Sequence, residues 1–140
     1  MVLKLTYISS PPPTAKKERK KSRILIVDDD PDITNSLGLT LEDTGLFDVR
    51  IFNDSVQVLS DFKSGSYDLV FLDIEMPKVS GLQLYEKIKE LDRKVRVCFL
   101  SDLDHNSLRE QFPSLDVSCI YSKDIQIKEL VERIETELLR

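Results

Sequence analysis

The sequence predicts an α/β fold in which a parallel five-stranded sheet carries helices on both faces. Three features of the chain lead there. Continuous apolar runs such as Ile24-Leu25-Ile26-Val27 and Leu69-Val70-Phe71-Leu72 have no polar alternation, so they read as strands buried on both faces. Stretches of helical period separate those runs. Almost every run stops at a polar residue, repeatedly Asp, where a strand would give way to a loop.

Taken in order, Ile24–Val27 is the first strand, ended by Asp28-Asp29-Asp30. Ile33, Leu37, Thr40 and Leu41 recur at helical spacing after it, with Asp30-Pro31 or Asp32 at the helix start. Gly45 lies where a positive φ ends a helix. Phe47–Phe52 alternates, as an edge strand with one wetter face should. Val56, Leu59 and Phe62 mark the second helix, capped by Asn53 or Asp54 and closed by Gly65. Leu69–Leu72 is a second buried strand, ended by Asp73. Leu82, Leu84, Tyr85, Ile88 and Leu91 form a helix that starts just after Gly81. Val95–Leu100 is a third buried strand, ended by Ser101-Asp102, and a weaker helix from Asp104 to Phe112 stops at Pro113. Cys119-Ile120-Tyr121 is a short last strand ended by Ser122-Lys123. Ile127, Leu130, Val131, Ile134 and Leu138 make a strong final helix. Alternating strands and helices of this kind wrap a parallel sheet on both sides.

At 140 residues the chain has room for one domain with a proper core. No apolar run is long enough to span a bilayer, and Lys4 and Thr6 interrupt the mildly apolar start, so no export signal is read. Cys98 and Cys119 sit inside apolar runs, as reduced core thiols do, and the expected location is the cytoplasm. Residues 1–22 combine Pro11-Pro12-Pro13 with six basic residues against Glu18 alone, a net +5, and read as a disordered arm. The whole chain carries −5, which leaves −10 for residues 23–140. A body that acidic is a poor partner for nucleic acid phosphates, so no nucleic acid is expected to bind it.

In open α/β sheets, chemistry gathers at the carboxyl ends of the strands. Here those ends are Asp28-Asp29-Asp30, Asp73, Ser101-Asp102 and Ser122-Lys123. Each residue alone has an ordinary reading, as a helix cap, a turn hydroxyl or a solvated lysine. Together they bring several carboxylates, a hydroxyl and an ammonium to one rim. Two like charges about 4 Å apart cost roughly 4 kcal/mol at an effective dielectric near 20, so one lysine does not offset three ionised Asp. A hard divalent cation with oxygen ligands resolves the deficit, and Mg²⁺ suits carboxylates plus water and a phosphate oxygen.

Ile24-Leu25-Ile26-Val27-Asp28-Asp29-Asp30-Pro31, then Asp68-Leu69-Val70-Phe71-Leu72-Asp73-Ile74-Glu75-Met76-Pro77 with Gly81, then Ser101, then Lys123, resemble the receiver domains of two-component response regulators, chemotaxis-regulator-like. The resemblance covers about residues 23–140. It implies the flavodoxin-like strand order 2-1-3-4-5. It also implies Asp73 as the phosphoryl acceptor, with Lys123 and Ser101 each bonding a phosphoryl oxygen. The implied metal site, for Mg²⁺ or Mn²⁺, takes Asp29, Asp73 and the main-chain carbonyl of Glu75 directly and Asp28 through water. Such a protein takes its phosphoryl group from a histidine kinase, a phosphotransfer protein or a small phosphodonor, and catalyses only its own phosphorylation and dephosphorylation. It signals by conformational change, through the face formed by the fourth helix, fifth strand and fifth helix. The same resemblance fits the receiver piece of a larger regulator with a DNA-binding or enzymatic output. Three residues depart from the family pattern. Asp102 stands where a small residue usually follows the hydroxyl, and Asp124 stands where Pro usually follows the lysine. Ile120 takes the place of the switch aromatic, with Tyr121 one position later and facing the other side of the sheet. Asp102, Glu75 and Tyr121 are thus the gatekeeper and switch candidates. The single histidine, His105, is expected at the surface.

Overall fold

The computed structural model describes residues 20–113 and 120–139. Most of the basic arm, Cys119 and the side chain of His105 lie outside the described residues. Strands β1 (Ser22–Val27), β2 (Phe47–Phe52), β3 (Leu69–Asp73), β4 (Arg96–Ser101) and β5 (Ile120–Ser122) alternate with five helices. The helices are α1 (Pro31–Asp43), α2 (Ser55–Asp61), α3 (Gly81–Leu91), α4 (His105–Gln111) and α5 (Ile127–Leu139). The strands form one parallel sheet in the order β2-β1-β3-β4-β5. β1 begins at Ser22 and Lys21 lies 4.0 Å from Asp48, so the ordered domain takes in the last residues of the stretch read as arm.

Alternation along the strands sends side chains to two cores. Leu25, Val27, Val70, Leu72, Val97 and Phe99 meet Val58, Leu84, Ile88 and Leu108 of α2, α3 and α4. Ile24, Ile26, Leu69, Phe71, Cys98 and Leu100 meet Leu41, Leu130 and Ile134 of α1 and α5. All five residues of β3 are buried, as its unbroken apolar sequence requires of a central strand. Tyr121 joins the α1/α5 core and Ile120 the opposite one, the two-sided placement that their adjacency demands. The Tyr121 ring lies between Phe71 (centroids 5.7 Å apart) and the Arg133 guanidinium (5.3 Å from its centroid).

Polar residues set the helix boundaries. Asp30 caps α1 ahead of Pro31, Asp54 caps α2, and Ser80 with Gln83 forms a reciprocal capping box on α3. Asp54, not Asn53, is therefore the α2 cap, which leaves the Asn53 side chain for other work. Val56, expected on the buried face of α2, is 47% exposed. Ser55 and Val58 are the residues this two-turn helix buries instead. Gly81 packs where no side chain fits: a Cβ there would overlap the Asp73 carbonyl oxygen and crowd Ile74. That approach, with the Gly81 amide donating to the Ile74 carbonyl at 3.0 Å, folds the loop after β3 back over its own strand end.

Candidate functional site

The strand order puts the ends of β1, β3, β4 and β5 side by side, and there the polar residues meet. Lys123 Nζ lies 2.8 Å from Asp28 Oδ2, 3.3 Å from Asp73 Oδ2 and 3.9 Å from Asp102 Oδ2. Asp28 is fully buried and Asp73 nearly so, whereas the Asp102 side chain is 76% exposed. One ammonium thus spans the tips of three strands. The β4 and β5 ends are joined directly, because the Ser101 carbonyl accepts the Lys123 amide at 3.0 Å. Ser101 Oγ accepts the Leu103 amide at 2.9 Å, which leaves the hydroxyl proton available for donation. The Glu75 amide donates to Asp73 Oδ1 at 3.3 Å and thereby seats the start of the loop on the carboxylate.

The electrostatics follow from the crowding. Burial first, and then the Asp28 carboxylate, push the Asp73 carboxyl up to about 7 against the opposing pull of Lys123. Burial also works against the Lys123 charge, but Asp28 and Asp73 outweigh it and hold the ammonium above its ordinary pKa. Lys123 therefore stays charged, and Asp73 resists ionisation while it must share that single cation.

The donor set fits a second, harder cation. Oxygen atoms of Asp28, Asp29 and Asp73 lie within 4.8 Å of one another. Asp28 Oδ2 is sealed from water and has the Lys123 ammonium as its neighbour at 2.8 Å. Asp29 is exposed and opens the cluster to solvent. Hard carboxylate oxygens gathered together, with a wet side for water ligands, are what Mg²⁺ prefers.

The structure brings together Asp28, Asp29, Asp73 and Lys123, with Ser101 and the Glu75 backbone alongside. Asp102 reaches the same lysine from the rim. Tyr121 stands apart, buried in the α1/α5 core on the other side of the sheet. Two residues not singled out by sequence also belong here. Asn53 Nδ2 donates to the Asp28 carbonyl and to Thr34 Oγ1, both at 2.8 Å, and Thr34 is fully buried. Asn53 reads as a helix cap in sequence, and nothing local distinguishes it from one.

Known proteins align with this arrangement. The response regulator receiver domain profile matches residues 24–135. An uncharacterized transcriptional regulatory protein, YkoG of Bacillus subtilis, is 32% identical over 76% of this chain and 46% of its own length. The chemotaxis protein CheY of Treponema pallidum is 32% identical over 76% of this chain and 70% of its own. The chain thus spans about half of the first relative and most of the second. Among solved structures, the response regulator TrrA of Thermotoga maritima in complex with Mg²⁺-BeF is 30% identical with a TM-score of 0.68, over 82% of this chain and 97% of that one. TrrA in complex with histidine kinase ThkA is 31% identical, with a TM-score of 0.68 over 85% and 99%. Among the described residues, no helix is long and apolar enough to cross a membrane. A matching profile over most of the chain, a sheet in the receiver order and an acidic cluster facing a lysine at its carboxyl rim place this chain in the response regulator receiver domain family.

Proposed function

We propose that the chain is a phosphorylation-activated switch that accepts a phosphoryl group on Asp73. The observation that carries this reading is the Lys123 ammonium, held 2.8 and 3.3 Å from Asp28 and Asp73 at the mouth of an oxygen cluster. Asp29, Asp73 and the Glu75 carbonyl would hold Mg²⁺, or Mn²⁺, with Asp28 behind them. The cation, when bound, supplies the positive charge that lets Asp73 ionise and that offsets the charge of the incoming group.

An Asp73 oxygen attacks phosphorus, the bond from phosphorus to the donor's nitrogen or oxygen breaks, and an acyl phosphate remains on Asp73. Lys123 already points at that oxygen and needs only to shift from carboxylate to phosphoryl oxygen. The Ser101 hydroxyl, with its proton uncommitted, turns toward the new charge, and the backbone bond from Lys123 to Ser101 links both responses to the β4–α4 and β5–α5 connections. The donor is a phosphohistidine of a sensor histidine kinase or phosphotransfer protein, or a small phosphodonor, in the cytoplasm. TrrA in complex with ThkA supports the kinase, and the α4–β5–α5 face then presents the change to a protein partner. On this reading the chain acts on no metabolite and catalyses only its own phosphorylation and dephosphorylation.

A second reading, the receiver piece of a larger regulator, is favoured by the alignment covering only 46% of the Bacillus relative. The two differ in output, not in the site. Acetyl phosphate with Mg²⁺ should place acid-labile phosphate on the wild type, and beryllofluoride should shift its amide spectrum. Asp73→Asn should show neither, and stoichiometric phosphate on that variant would overturn the assignment.

A further inference from the structure

We infer that Asn53 is a positioning residue for the metal site, a side-chain brace that fixes the turn carrying Asp28 and Asp29. The inference rests on the receiver reading of that site. The geometry begins in the sheet. The last β1–β2 hydrogen bond runs from the Asp28 amide to the Phe52 carbonyl at 3.2 Å, and beyond it the two chains part. Asn53, the next residue of the β2 chain, continues the ladder with its side chain. Its amide group spends both protons at once, one on the Asp28 carbonyl and one on Thr34 Oγ1, each at 2.8 Å. Thr34, fully buried on α1, passes the hydroxyl proton to the Pro31 carbonyl at 3.2 Å. The turn from Asp28 to Pro31 is thus tied at one end to β2 and at the other, through Thr34, to the first turn of α1.

Within that turn the Asp30 amide donates to Asp28 Oδ1 at 3.1 Å, so the backbone that Asn53 holds also aims the buried carboxylate. Asp29 depends on it more. Among the described residues the Asp29 side chain makes no hydrogen bond or ion pair, so no side-chain contact steers it and its reach toward Asp73 starts from the backbone of the turn. A ligand of that kind is only as well placed as its turn. Residues that hold metal ligands from behind typically change metal affinity by about ten- to a hundredfold when removed, and a partly exposed brace that water can replace in part belongs at the low end.

Asn53→Ala should therefore weaken Mg²⁺ binding, read by calorimetry on otherwise folded protein, by about tenfold. In metal-free protein the same variant should speed hydrogen exchange at the Asp30 amide while leaving amides of the central strand β3 unchanged. Thr34→Ser, which keeps the hydroxyl, should bind Mg²⁺ more tightly than Asn53→Ala. Because Asn53 and Thr34 form one brace, Thr34→Val combined with Asn53→Ala should bind Mg²⁺ no more weakly than Asn53→Ala alone. Mg²⁺ affinity and Asp30 exchange equal to wild type in Asn53→Ala would overturn the inference and leave the receiver reading standing. Wild type that neither binds Mg²⁺ nor takes a phosphoryl group would overturn both.

Discussion

At Asp73 the burial that would shelter an acyl phosphate from water also opposes the charge needed to make one. The carboxyl is raised to about 7 in the fold, against an ordinary value near 4 in the unfolded chain. Between those values the folded protein holds a proton that the unfolded chain has lost, so metal-free stability should fall as pH rises from about 4 to about 7. Thermal melts across that range should show the slope, and Asp73→Asn should flatten it. Saturating Mg²⁺ should reverse the trend, since it binds the ionised form. Asp102 acts on the same lysine from outside. Its carboxylate, mostly in water and 3.9 Å from Lys123, gains little as an ion pair. If Asp102 guards the entrance, its negative charge would repel anionic donors and its bulk would hinder an attacking water. Asp102→Ala should raise both acetyl phosphate labelling and subsequent hydrolysis, up to about fivefold at low salt and less at high salt. Equal rates at both ionic strengths would remove Asp102 from the site.

The helices rest on polar anchors as much as on their apolar faces. Asp92, which ends α3, accepts the amides of Gly65 at 2.9 Å, Lys94 at 3.0 Å and Val95 at 3.2 Å. One carboxylate thereby ties the end of α3 to the turn after α2 and to the entry of β4. The Gly65 hydrogen bond leads the interactions that hold its pKa below the ordinary carboxylate range, so its contribution is present above about pH 4 and is lost as pH falls through the folded value. Asp92→Ala leaves three amides without that acceptor and should cost roughly 2–3 kcal/mol in denaturant melts at neutral pH. A loss below half a kcal/mol would mean that water replaces the carboxylate at no cost. Neither Asp92 nor Asn53 stands out in sequence. Gly65 is 27 positions from Asp92 and Thr34 is 19 from Asn53, so nothing local marks either pair. Caps differ in this respect: Asp30, Asp54 and Ser80 bond amides two or three residues on, and that much a sequence displays.

At the scale of the molecule, the sheet was legible because a strand buried on both faces has an unbroken apolar sequence. Ile24–Val27 and Leu69–Leu72 need no partner to be recognised. The strand order was not legible in that way and came from the resemblance, since apolar runs do not say which neighbour they choose. The carboxylates at the rim were readable from their position after each run. That Lys123 reaches three of them depends on β5 lying beside β4, a matter of topology alone. Tyr121 carries a last consequence of that topology, an optical one. The chain has four tyrosines and no tryptophan, so phenolate absorbance is unobstructed. With its ring walled in by Phe71 and Arg133, Tyr121 has a phenol pushed far above its ordinary value, burial being the main cause and the neighbouring Cys98 next. Burial therefore disfavours its ionisation while the domain is folded. In an alkaline titration one phenolate should therefore appear together with the loss of far-ultraviolet dichroism, and Tyr121→Phe should delete that step, making this residue an internal signal of global unfolding that needs no added dye.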